Sequence, residues 1–139
     1  MRAVQKSLRI PQETLKEIEK IANDSGRDFS STAKDLLTEA IKMRRCPGIL
    51  FADGITGRRA KIAGTGLDVW EIISTFRSVK NDIKRLRKAY HWLTEQQLSA
   101  ALGYYRAYSQ EIDQLIDRNE SWSDKEVTSR YPYLSKGKI

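Results

Sequence analysis

Cysteine and histidine are nearly missing from this chain. Cys46 and His91 are the single copies among 139 residues. One cysteine excludes an intramolecular disulfide. One cysteine and one histidine fall short of a Cys/His zinc set, so neither a metal site nor any other cofactor is expected. The same scarcity weighs against catalysis. No Ser-His-Asp arrangement, metal-ligand spacing or paired-carboxylate setting stands out, and the expectation is that the chain is not an enzyme. Long apolar runs are missing too. No stretch approaches the roughly 20 residues that span a bilayer, and the N-terminal stretch carries no signal-peptide core. A cytoplasmic protein with no membrane partner is expected.

What is present is charge. The chain is 40% hydrophobic and 31% charged, the composition of a folded domain rather than a disordered one. Its net charge is +7, which favours a polyanionic partner. Residues 1–48 hold ten Lys/Arg against seven Asp/Glu, residues 49–119 eleven against eight, and residues 120–139 four against three. The basic excess is therefore spread over the chain and is not the work of one polybasic tail.

The stretch Val4-Gln5-Lys6-Ser7-Leu8-Arg9-Ile10-Pro11 alternates with a period of two, which predicts a strand with one inward and one outward face. Lys6, Leu8 and Ile10 fall on one side; Gln5, Ser7 and Arg9 fall on the other. An amide, a hydroxyl and a guanidinium are groups that bond base edges in a major groove. The plainer alternative is an edge strand with ordinary polar residues outside. Pro11, without an N–H, closes the strand. A helix follows over Gln12–Ser25, with Leu15, Ile18, Ile21 and Ala22 on one stripe and Gly26 as its stop. Asp28 or Ser30 can cap a second helix of about four turns. Its stripe is Ala33, Leu36, Leu37, Ala40 and Ile41, with Lys42, Arg44 and Arg45 in the last turn. One strand and two helices bury too little apolar surface to stand alone, so a twofold dimer is expected, or a tetramer built from it.

The order strand-Pro-helix-Gly-helix resembles the ribbon-helix-helix repressors of the Arc, CopG and MetJ type. The resemblance implies that paired strands enter the major groove of operator DNA. It carries base contacts onto Gln5, Ser7 and Arg9, and a phosphate held on backbone N–H groups onto Ser30 and Ser31. Lys6 departs from the family, which usually has an apolar residue there. Thr32 and Leu36 replace positions that carry buried charges in Arc-like proteins, so no such ion network is expected.

After Cys46-Pro47-Gly48, the runs Ile49–Phe51 and Arg59–Ala63 flank the turn signals Asp53-Gly54 and Thr56-Gly57, a small β-hairpin. Gly64-Thr65-Gly66 lacks the Lys-Ser/Thr of a phosphate loop and reads as a turn. Asp68 can cap a helix through Phe76, and Ser78 a second over Val79–Tyr90. Thr94 with Gln97 forms a capping box for a third. A fourth is expected near Ser109–Arg118. The arrangement is helix-turn-helix-like. Lys80, Lys84, Arg85, Arg87 and Lys88 make the second of these helices basic, either as a solvated face or as a second contact with nucleic acid.

Residues Asp53-Gly54, Gly57-Arg58-Arg59, Ala63 through Trp70, Tyr90 through Thr94, Ala100-Ala101-Leu102 and Tyr104-Tyr105 together resemble a small VapB-type antitoxin family, long labelled a domain of unknown function. That resemblance implies association with a PIN-like ribonuclease toxin. His91, Trp92, Tyr104 and Tyr105 are read as core or hinge residues rather than a site. Trp122, the helix-start signal Ser123–Glu126 and Tyr131-Pro132-Tyr133-Leu134 fall in an aromatic-bearing tail, either docked on its own domain or binding a partner.

The expected fold is mainly α. A ribbon-helix-helix (swapped dimer) occupies residues 1–46, a small β-hairpin plus a helical, helix-turn-helix-like domain occupies 49–119, and a tail occupies 120–139. The expected function is a sequence-specific DNA-binding transcriptional repressor, homodimeric on double-stranded operator DNA, that is also the antitoxin of a type II toxin-antitoxin pair. The alternative is a stand-alone transcription factor whose C-terminal domain extends the DNA contact or oligomerises.

Overall fold

A computed structural model describes residues 2–55 and 57–130, with residues 121–130 described by their backbone alone. The chain divides into two units, Met1–Arg44 and Arg45–Ile139.

The first unit opens with an extended arm. Residues 2–11 form no strand, so the expected N-terminal ribbon is corrected: the strands lie in the middle of the chain, after two helices. The physical reason is that alternation is necessary for a strand but a ladder partner is also required. The arm pairs with no strand among the described residues. Nor does the alternation sort two faces, because residues 2–9 are all exposed and only Ile10 is half-buried.

Helix α1 (Gln12–Ser25) begins where Pro11 leaves its carbonyl free to accept from the Leu15 N–H at 3.0 Å. It ends at Gly26, whose φ of 67° and ψ of 26° are left-handed. Its N–H reaches the carbonyls of Ala22 and Asn23, a closure that a side chain would strain. Helix α2 (Phe29–Arg45) is capped by Asp28: Oδ1 accepts from the Ser31 N–H at 2.7 Å. Arg27 pairs with Asp35 across that start. Among the described residues of these helices only Ala22 and Thr32 are buried. Leu8, Leu15, Ile21, Phe29, Leu37, Ile41 and Met43 are exposed. The unit has two amphipathic helices and no core of its own.

The second unit has that core. Strands β1 (Ile49–Gly54) and β2 (Gly57–Ile62) pair antiparallel from Ile49↔Ile62 to Gly54↔Gly57. Ile49, Ala60 and Ile62 are buried on one face. The turn after β2 is closed by the Ile62 N–H to the Leu67 carbonyl, 2.9 Å, and by the Thr65 hydroxyl to the Ile62 carbonyl, 2.8 Å. Helix α3 (Val69–Ser78) is central, touching β2, α4 (Ile83–Ala89), α5 (Glu95–Ala107) and α6 (Ser109–Arg130). Val69, Ile72 and Ile73 form its inward stripe and are completely buried, each contributing about 2 kcal/mol of burial free energy. Leu86, Leu98, Ala101, Tyr104, Ile112 and Ile116 close around them.

Two helix starts differ from expectation. Asp68 precedes α3 but makes no capping bond, because its carboxylate is held by other side chains. Helix α4 begins at Ile83 and is capped by Asp82, not by Ser78. The delay is caused by Lys80 and Asn81, both left-handed at φ 57° and 59°. The backbone of residues 121–130 continues α6, where a tail was expected. Tyr131-Pro132-Tyr133-Leu134 lies outside the described residues.

Candidate nucleic-acid interface

In the first unit, Gln5, Ser7 and Arg9 are exposed on the arm, together with Lys6. Among the described residues no segment buries them. Ser30 and Ser31 stand at the start of α2, with Ser30 exposed and Ser31 half-buried. The Ser31 N–H is already taken by Asp28. Its two bonds from Ser31 hold the Asp28 carboxyl below the usual range, so this helix start carries its own anion. A phosphate there competes with a resident carboxylate. The Thr32 hydroxyl donates to the Asp28 carbonyl at 2.9 Å, which satisfies the one buried polar side chain of α2.

In the second unit, Lys80, Lys84, Arg85, Arg87 and Lys88 are all exposed on the turn before α4 and on α4 itself. Leu86 is the inward residue of this short helix. At 100° per residue, Lys84 and Lys88 point opposite to it and Arg85 and Arg87 flank it. Arg85 approaches Asp82 at 3.7 Å and Arg87 approaches Glu95 at 3.2 Å. Lys80, Lys84 and Lys88 form no ion pair among the described residues.

The aromatics after α4 were expected to be core or hinge residues. Tyr104 and Tyr105 fit that description. Tyr104 is buried with its hydroxyl donating to Glu111 Oε2 at 2.7 Å. Burial raises its ionisation far above the ordinary phenol range, so it stays neutral. Tyr105 is half-buried and bonds Asp113 and Arg77. His91 and Trp92 are not core residues: both are on the surface, and Trp92 is 60% exposed.

A cleft of about 510 Å³ opens between the Arg45-Cys46-Pro47 segment and α5, floored by Ala100, Gly103 and Tyr104. Cys46, one of its lining residues, is buried. No group of three or more His, Cys, Asp or Glu suited to a metal ion occurs among the described residues. No helix of the described residues is long and apolar enough to cross a membrane.

No family model matches the chain, and no curated protein matches it. Among solved structures, the chain is similar to a DUF433 member protein from Anabaena variabilis ATCC 29413. The two are 25% identical, with 78% of this chain and 99% of that chain covered, at a TM-score of 0.44. A likeness at that score fixes neither fold nor function.

Proposed function

We propose that the chain is a DNA-binding transcriptional regulator that works as a homodimer and serves as the antitoxin of a toxin-antitoxin pair. The observation that carries the DNA-binding half is the arm. Gln5, Ser7 and Arg9 are exposed on an extended backbone in a chain of net charge +7. Charge brings such an arm to the duplex, and amide and guanidinium groups then discriminate among base edges. Dimerisation is supported by the eight large apolar side chains that the described residues of the first unit leave exposed, from Val4 to Met43. A second copy offers the same stripe, and closed twofold pairing covers both.

The antitoxin half rests on the resemblance of residues 53–105 to VapB-type antitoxins, with a PIN-like ribonuclease as the partner. The test of the first half is a gel shift of the full chain on DNA from upstream of its own reading frame. Wild type shifts that DNA, and Arg9→Ala does not while remaining dimeric. Specific binding retained by Arg9→Ala overturns the arm. The test of the second half is co-expression with an adjacent reading frame. Co-purification and loss of that partner's ribonuclease activity support the antitoxin; no association leaves a stand-alone regulator.

A further inference from the structure

We propose that helix α4 and the Tyr90–Trp92 segment form a binding surface for single-stranded nucleic acid, on which the Trp92 indole stacks an unpaired base. This surface belongs to the second unit and does not rest on the arm.

The first observation is a large aromatic left in the open. Trp92 is 60% exposed, whereas Trp70 is half-buried with its indole N–H on Asp68 at 2.9 Å. An aromatic of this size is worth more when covered, and an indole face is sequence-tolerant because every base has a π-face to offer it. The second observation is that the ring is held. It meets Tyr90 edge-to-face at 5.5 Å and 66°, and His91 at 5.1 Å and 87°. Tyr90 is itself anchored, its hydroxyl 3.0 Å from that of Thr75 and its N–H on the Leu86 carbonyl at 3.0 Å. A ring whose plane is fixed before contact loses little entropy on stacking.

The third observation is the charge beside it. Lys84 and Lys88 stand one turn apart on the outward side of α4, and Lys88 precedes Trp92 by one further turn's worth of chain. Arg85 and Arg87 flank them. Cations and an aromatic in succession suit a ligand that alternates phosphate and base. A duplex satisfies the lysines but keeps its bases stacked internally, out of reach of the indole. An acidic peptide satisfies the lysines and gives the indole nothing flat to stack on. An anionic membrane needs a broad apolar face, and only Ile83 and Trp92 are exposed large apolar residues over 83–92.

The experiment is fluorescence anisotropy with the full chain and a labelled oligothymidylate of about 20 nucleotides. A duplex of the same length, polyglutamate, and phosphatidylserine-phosphatidylcholine vesicles are run beside it. Trp92→Ala weakens oligothymidylate binding about tenfold, and Trp92→Phe keeps it within about twofold while abolishing the tryptophan quenching that stacking produces. Lys84→Ala with Lys88→Ala weakens it as well and lowers the salt slope by about 0.7 per lysine, the single-strand value. Unchanged oligothymidylate affinity in Trp92→Ala overturns the proposal. So does binding of polyglutamate or vesicles that depends on Trp92 while oligothymidylate binding does not. Should Trp92→Ala lower the thermal midpoint, the Trp92→Phe quenching decides: quenching as large as that of wild type, carried by Trp70 and Trp122 alone, overturns the stack.

Discussion

Lys61 and Asp68 tie strand β2 to the start of helix α3, with Lys61 Nζ donating to Asp68 Oδ1 at 2.5 Å. Both side chains are mostly buried, and the second carboxylate oxygen accepts the Trp70 indole N–H at 2.9 Å. The carboxylate thus gives up capping the helix and joins two elements and an aromatic instead. Asp68→Ala leaves the Lys61 ammonium and the Trp70 N–H short of a partner in a partly dry site. It is expected to cost about 2 kcal/mol, read as a lowered denaturation midpoint at unchanged slope.

Glu71 lies one turn along from Asp68. Its carboxyl is raised above the ordinary value of 4.5, first by burial and then by the Asp68 charge, with Lys61 pulling the other way. In the unfolded chain neither cause acts. Between the unfolded and the raised folded value the folded state holds more protons, so stability falls as pH rises through that window. Glu71→Gln removes the penalty. The variant is expected to melt above wild type at neutral pH, and the gap is expected to close as pH falls below the ordinary Glu range. Parallel melting curves across that series check the sign.

The capping box at α5 gives a third expectation. The Gln97 N–H donates to Thr94 Oγ1 at 3.0 Å, and the Thr94 N–H donates to Gln97 Oε1 at 2.9 Å. Thr94→Ala removes the first of these bonds and leaves the Gln97 amide to cap alone. The expected loss is about 1 kcal/mol by urea denaturation. Thr94→Ser is expected to recover most of it.

What the sequence discloses follows from how local each signal is. Helix α1 is legible to the residue because Pro11 and Gly26 bound it, and the α5 cap is legible because Thr94 and Gln97 carry it within one turn. The α4 start is not legible. Lys80 and Asn81 take left-handed conformations without a glycine, and Ser78 looks like a cap as good as Asp82. The end of α6 is misread at Arg118 because its apolar stripe ends at Ile116 and polar residues follow, although no glycine or proline stops the chain between Tyr104 and Tyr131. The ribbon fails for a different reason: the alternation of Val4–Ile10 is real, but a strand is a property of two segments and one sequence names only one. His91 and Trp92 are aromatic, and type alone points inward; their exposure follows from the short loop between α4 and α5, which holds them at the surface.

The first unit's exposed stripe carries a prediction of its own. Leu37 and Ile41 are one turn apart on α2 and exposed at 63% and 53%. Under the homodimer reading, sedimentation equilibrium gives twice the 16.0 kDa of one chain. Leu37→Glu places a charge in that contact and is expected to give monomers. Leu37 belongs to the first unit and Tyr104 to the core of the second, so the near-ultraviolet dichroism of Tyr104 and its neighbours is expected to persist. A wild-type mass of one chain removes the second copy from the reading.

The most direct measurement is the affinity of the full chain for duplex DNA from upstream of its own reading frame, against a scrambled duplex of equal length, over a salt series. Sequence reading by the arm predicts a preference of about a thousandfold or more near physiological salt. Arg9→Ala is predicted to remove about 2–6 kcal/mol of it, from two arms at about 1–3 kcal/mol each. Equal affinity for both duplexes, falling steeply with salt in wild type and Arg9→Ala alike, would contradict it and leave net charge as the whole of the binding.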